Sequence, residues 1–198
     1  DQDLKVMSKS ASEASRECID KLGIKLSSIA SISISAQRSC TIFVDDKGEE
    51  LIPMISWQDS RTTEEVNEIS IAIGAEKYYE ITGLPLGPAW VLPKIIWLRK
   101  NYPEIWQKTA KVVQLHDYFL KKLGCSEFTV DIPDASFYGV WDTDKLEWSD
   151  FLMESFKLDK SKLSAPLSSG LKAGSLSAKA AEDFGFMQGT PLCVGAGD

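Results

Sequence analysis

Ile29-Ala30-Ser31-Ile32-Ser33-Ile34-Ser35 alternates apolar and small residues, and Ala36-Gln37-Arg38 follows it directly. A period of two puts the isoleucines on one face of an extended chain, so the stretch predicts a half-buried β-strand. A polar pair just beyond such a strand projects from a sheet edge, where open α/β sheets hold their ligands. Arg38 offers five donors in a fixed fork and Gln37 an amide, a set suited to hydroxyl groups as well as to anions. Taken alone, the pair fits a solvated loop better than a ligand site.

Working outward, Cys40 to Val44 reads as a second strand, and Asp45-Asp46-Lys47-Gly48 supplies turn chemistry. Pro53 to Trp57 reads as a third, leading into a helix from Thr62 or Thr63 through Ile73. Upstream, Leu4, Met7, Ala11, Ala14, Cys18 and Leu22 recur at helical spacing, with Gly23 placed to end the helix. The chain thus reads as entering in the middle of an amphipathic helix. Downstream, Pro93 is taken as the first position of a helix over Lys94–Arg99 that stops near Pro103. Lys111 to Leu115 is a short apolar run, and His116-Asp117 cap a helix over Tyr118–Leu123, ended by Gly124. Phe137 to Trp141 reads as a strand, and helices are expected around Asp150–Phe156 and Ser177–Phe184. A buried strand from Pro191 runs into Gly195-Ala196-Gly197-Asp198. Strands and helices mixed in this way predict an α/β fold with a mixed sheet.

With 198 residues, 43% hydrophobic and 26% charged, the composition is that of one soluble globular domain. A net charge of −7 makes nucleic acid an unsuitable partner, although a phosphate can still be held by backbone N–H groups and a metal ion. Cys18, Cys40, Cys125 and Cys193 are widely spaced, and His116 is the only histidine. That pattern predicts buried, unbridged thiols of a cytoplasmic protein rather than a zinc site or a disulfide framework. No apolar run approaches the length needed to span a bilayer, so no membrane partner is expected.

Beyond Gln37-Arg38, two further segments can carry chemistry. In Trp57-Gln58-Asp59-Ser60-Arg61, a tryptophan at a strand end can lie against the C–H face of a polyol while polar neighbours fix its hydroxyls. A core tryptophan beside an Asp–Arg surface pair has the same sequence. In the terminal Gly-Ala-Gly-Asp, glycine lets the backbone approach a ligand closely, and the Asp198 carboxylate can take a proton from a substrate hydroxyl. His116 reads as a helix-cap or core residue. An α/β hydrolase is disfavoured because no G-x-S-x-G elbow occurs.

The order of these pieces resembles the FGGY carbohydrate kinases. The resemblance runs from Ser31–Arg38 through Ile55–Arg61, Thr82-Gly83-Leu84, Lys94–Leu98, His116-Asp117-Tyr118 and Asp134-Ala135-Ser136 to Thr190-Pro191 and Gly197-Asp198. It implies a ribonuclease H-like (actin-like ATPase) domain spanning residues 1–198 and truncated at both ends. The family's phosphate loop would lie upstream and its nucleotide domain downstream. It also implies transfer of the ATP γ-phosphoryl group, with Mg²⁺, to a hydroxyl of a sugar, polyol or sugar acid. On this resemblance Asp198 is the catalytic base. Gln37, Arg38, Trp57, Asp59 and Trp90 contact the substrate, Gly197 lies on the cofactor side, and a homodimer is an expected assembly. Ser39 stands where glycerol kinases carry an acidic residue, and Arg38-Ser39 where xylulose kinases carry Met-His, so neither specificity pattern is met. The competing interpretation is a non-catalytic actin-like module that binds a sugar or a partner.

Overall fold

The computed structural model describes residues 2–197. Helix α1 spans Leu4–Leu22, and Asp3 caps it by accepting from the amides of Lys5 and Val6. It therefore begins at its own cap rather than in mid-helix, and Gly23 ends it in the left-handed conformation. The predicted first strand is much shorter than its alternation suggested. Only Ile32–Ser33 (β1) is paired, parallel to the strand that ends the chain. Strand β2, Thr41–Val44, is buried along its whole length. The predicted third strand, Pro53 to Trp57, reduces to single bridges at Met54 and Ile55. Pro53 has no N–H to donate, and the chain turns at Ser56, whose carbonyl accepts from the Asp59 amide.

Helices α2 (Thr63–Ile73), α3 (Ala75–Thr82), α4 (Val91–Asn101) and α5 (Pro103–Lys108) follow. Helix α4 starts earlier than predicted, at Val91, and carries Pro93 within its first turn. Proline is tolerated there because the N–H it lacks has no intrahelical acceptor. Strand β3, Lys111–Gln114, pairs antiparallel with β2 in the register Thr41 to Gln114 and Val44 to Lys111. Helix α6, Leu115–Leu123, is capped by Gln114, and the Asp117 side chain reaches back to the Gln114 amide. His116 thus lies inside the first turn instead of capping it.

Strand β4 (Thr129–Asp131) leads into α7 (Ile132–Ser136), where Asp131 accepts from the Asp134 amide as N-cap. Phe137 to Gly139 form a turn, not the predicted strand. Pairing begins only at β5 (Trp141–Asp142), against β6 (Glu147–Trp148). Gly139, at φ +75°, breaks the extended run. Helix α8 (Asp150–Ser155), strands β7 (Ala165–Leu167) and β8 (Lys172–Ser175), helix α9 (Ala178–Phe184) and strand β9 (Pro191–Cys193) complete the order. Strand β9 sits between β1 and β8, and β4 pairs parallel with β7.

The largest apolar cluster packs α4 and the β5–β6 hairpin around Phe43, Tyr78, Leu92, Ile95, Tyr138 and Trp141. Cys40 and Cys125 are buried as expected, but Cys18 is exposed, and no disulfide forms among the described residues. No described helix is long and apolar enough to cross a membrane.

Trp141 is fully buried and meets Trp148 edge to face at 5.0 Å, with Tyr138 5.1 Å from the same ring. Trp141→Ala should destabilise the fold by about 3–5 kcal/mol, read as a lowered urea midpoint at unchanged slope.

Candidate functional site

Four segments distant in sequence converge beyond β1, β4 and β9. Arg38 leaves β1 and lays its guanidinium 4.7 Å from the ring centre of Phe137. Phe137 meets Trp90 edge to face at 5.4 Å, and the Trp90 indole N–H donates to the Pro85 carbonyl at 2.6 Å. Gly197, expected on the cofactor side, packs against this group. A Cβ there would stand 2.6 Å from Arg38 Nε and collide with Asp134 Oδ1, so no larger residue fits without movement. Gly195 approaches the Ile34 carbonyl closely enough to exclude a Cβ as well. Gln114 fastens the floor of the site: its Oε1 accepts from the Ser39 amide at 2.6 Å and its Nε2 donates to the Asp134 carbonyl at 2.6 Å.

The remaining predicted residues make contacts of their own. Gln37 donates to the Gln2 side chain at 2.9 Å. Trp57 is 45% exposed, which excludes the core role and leaves its face open. Asp59 accepts hydrogen bonds from the Arg61 guanidinium at 2.9 and 2.6 Å and from the Arg61 amide at 3.0 Å, and the guanidinium lies over Trp97. Hydrogen bonding to Arg61 holds the Asp59 carboxyl below its usual range. Asp198 lies outside the described residues.

Two features escaped the sequence candidates. The first is Lys94, fully buried in α4, whose Nζ donates to the carbonyls of Ser39 at 2.7 Å and Ala89 at 2.8 Å. One ammonium group thereby ties the residue after Arg38 to the residue before Trp90. Burial pulls its pKa down to about 8, although Cys40 and Asp59 favour the charged form. The second is a buried cluster of His116, Asp117, Asp131 and Asp134. His116 Nδ1 stands 3.5 Å from Asp117 Oδ1 and 3.8 Å from Asp131 Oδ2, and His116 Nε2 accepts from the Gly195 amide at 3.2 Å. Burial, reinforced by Asp131 and Asp117, pushes the Asp134 carboxyl up to about 8. It is therefore largely protonated near neutrality.

The profile of the FGGY family of carbohydrate kinases, N-terminal domain, matches residues 1–198. The chain belongs to the FGGY family. Xylulose kinase of Lactococcus lactis is 29% identical over 170 residues, covering 86% of this chain and 34% of that protein. Autoinducer-2 kinase of Klebsiella pneumoniae is 26% identical over 190 residues, covering 95% of this chain and 35% of that one. The chain thus spans about a third of the length of these curated relatives. The crystal structure of gluconate kinase from Lactobacillus acidophilus superposes on all of it with a TM-score of 0.91 at 23% identity, covering 39% of that chain. At that identity the likeness is one of fold, and the fold is the expected actin-like ATPase type.

Within this FGGY chain the missed residues carried faint signals. A lysine inside the apolar run Val91–Leu98 is out of place on any exposed face, and Asp131-x-x-Asp134 has the spacing of an N-cap with an acid in the first turn.

Lys94 provides a pH test of definite sign. Its ordinary value is 10.5, whereas in the folded chain it is about 8. Between these values the unfolded state binds more protons, so stability rises with pH across that window. Lys94→Met should remove the rise, which urea midpoints measured from about pH 8 to about pH 10 in both proteins would show. A rise of equal size in the variant would assign it to another group.

Proposed function

We propose that this chain forms the sugar-binding side of an ATP-dependent carbohydrate kinase, with Asp198 as general base toward a hydroxyl of a sugar, polyol or sugar acid. The observation that supports this most directly is the packing of Gly197, the residue before Asp198, against Arg38 and Asp134. On this reading Gly197 leads into the base, and its neighbours supply the donors and aromatic faces suited to a carbohydrate. Arg38 would hold substrate oxygens, while Trp90 and the exposed face of Trp57 would lie against C–H groups. As the hydroxyl oxygen forms its bond to the γ-phosphorus, Asp198 accepts the proton. The bond to the bridging oxygen breaks, and ADP leaves with its electron pair.

Mg²⁺-ATP would be the phosphoryl donor. The gathered groups, one guanidinium with aromatic rings over buried carboxyls, offer too little positive charge for a polyphosphate and suit a polyol better. Gly197 is where this acceptor side would meet the nucleotide, and no other residue of the chain is assigned to it. The same reading makes the protein cytoplasmic and compatible with a homodimer.

ADP release by the full-length protein with Mg²⁺-ATP tests the reading across xylulose, other pentuloses, pentitols, gluconate and glycerol. Stimulation by one of them supports the kinase, whereas silence from folded, ATP-bound protein favours a non-catalytic sugar-binding module. Asp198→Asn should lower turnover by at least about a hundredfold while leaving sugar affinity nearly unchanged. Trp57→Ala should weaken sugar binding by about 1–3 kcal/mol in calorimetric titration, and unchanged affinity would remove Trp57 from the site.

A further inference from the structure

We propose that His116 is a positioning residue that latches the Gly195–Gly197 turn ahead of the proposed base, and that the latch holds only while its Nε2 is unprotonated. The inference rests on the kinase reading of Asp198. The chain's single histidine is buried, and its Nε2 accepts the Gly195 amide at 3.2 Å. An accepting Nε2 places the proton of the neutral ring on Nδ1. There Asp117 Oδ1 and Asp131 Oδ2, buried oxygens with no hydrogen-bond partner among the described residues, stand 3.5 and 3.8 Å away. Asp117 is itself rigid, because its Oδ2 accepts from Tyr138 at 2.7 Å, Ser164 at 2.7 Å and the Gln114 amide at 3.1 Å. The ring is therefore aimed from the carboxylate side toward the turn, and the close approach of Gly195 to the Ile34 carbonyl leaves that turn little freedom.

Ligand atoms of His116, Asp131 and Asp134 all lie within 4.8 Å of one another, a spacing a divalent cation could bridge. The tautomer argues against it. While Gly195 donates to Nε2, Nδ1 carries the proton and has no lone pair for a metal. Binding one would turn an Nε2–H against the Gly195 N–H.

Protonation of Nε2 creates the same opposition of two donors and opens the latch. The charged groups around the ring are Asp117 from α6, Asp131 from β4 and Asp134 from α7. Arg38, beyond β1, reaches the same Gly197, and Gly195, Ala196 and Gly197 after β9 add no charged side chain. Burial pulls the imidazole pKa down, but the nearby Asp117 carboxylate, with Asp131 and Asp134, outweighs it and sets it above the ordinary 6.5. Acidification therefore releases the turn earlier than an ordinary histidine would.

Nitrogen-15 NMR of the intact protein reads the latch without any turnover, with His116 assigned by the loss of its signals in His116→Gln. At about pH 8 the ring should be the Nδ1–H tautomer, and its protonation on acidification should move the Gly195 amide in step. An Nε2–H tautomer at that pH, or a stoichiometric shift of Nδ1 on adding Zn²⁺, overturns the proposal, the latter in favour of a metal site. In kinetics, His116→Leu should lower kcat on the order of tenfold to a hundredfold with the sugar KM little changed. His116→Gln, whose side-chain oxygen can still accept from Gly195 and does not titrate, should restore most of that loss and abolish the acid limb of kcat. An acid limb unchanged in His116→Gln also overturns it. If no sugar is phosphorylated the kinase reading fails, while the tautomer and the Gly195 shift still judge the latch.

Discussion

Lys94 donates its ammonium hydrogens to two backbone carbonyls inside the protein, and the approach to the site depends on that arrangement. Removing an ammonium from water costs several kcal/mol, and two neutral carbonyls recover only part of it. The pKa near 8 expresses this imbalance, since the folded chain gives up the proton more readily than water-exposed lysine does. Such a group is tolerable only where its loss would leave other buried groups unpaired. The Ser39 carbonyl belongs to a residue held at φ +60°, and the Ala89 carbonyl precedes the indole that packs on Phe137. Neither segment is regular secondary structure, so neither has a ladder to fix it. The lysine does what a ladder would have done.

The same economy governs the acidic floor. Gln114 spends its amide on two backbone groups and its own N–H on Asp117, so one residue at the β3–α6 junction fixes the Arg38 turn and helix α7 together. What remains unsatisfied is concentrated. His116 Nδ1, Asp117 Oδ1, Asp131 Oδ2 and Asp134 Oδ1 all lack a hydrogen-bond partner among the described residues while buried. Native proteins leave few such atoms, and several in one cluster beneath a glycine turn mark a place where stability has been given up for an electrostatic arrangement. Burial, with Asp131 and Asp117 close by, pushes the Asp134 carboxyl up to about 8 and away from an ordinary acid.

Local rules made helices α1, α2, α4, α6, α8 and α9 and strand β2 legible in sequence, because caps, glycine stops and periodicity act within a few residues, whereas the short helices α3, α5 and α7 were not read. The Ile-Ser alternation of 29–35 was legible as extended chain but not as paired strand. Pairing depends on a partner at Leu192 and Cys193, and only Ile32 and Ser33 meet it. Arg38 was legible as a projecting polar residue, yet its neighbours Phe137 and Asp134 were not. Phe137 looked like part of a strand until the Asp131 cap and Gly139 bent that segment into a helix and turn. Lys94 and His116 act through backbone groups, whose carbonyls and amides have no identity in the sequence. No pattern of side chains could have named Ser39, Ala89 or Gly195 as their partners.

Strand direction explains why these groups meet at all. Arg38 follows β1, His116 follows β3, Asp134 follows β4 and Gly195 follows β9, so each lies just past the carboxyl end of its strand. Strands β1 and β9 run parallel and deliver their two turns side by side, the usual placement of a ligand site in an α/β sheet. Strand β2 runs the other way, and its antiparallel register sets Thr41 opposite Gln114. The turn entering β2 therefore lies beside the end of β3, and Ser39 comes within reach of Gln114 and Lys94. A slip of one residue in that register would exchange the faces of β2 and carry Ser39 away from both. The fold thus determines that donors, acid and glycine turn share one place. On the proposed kinase reading, which substrate they would receive is left to the side chains above them, because a fold alone does not set specificity.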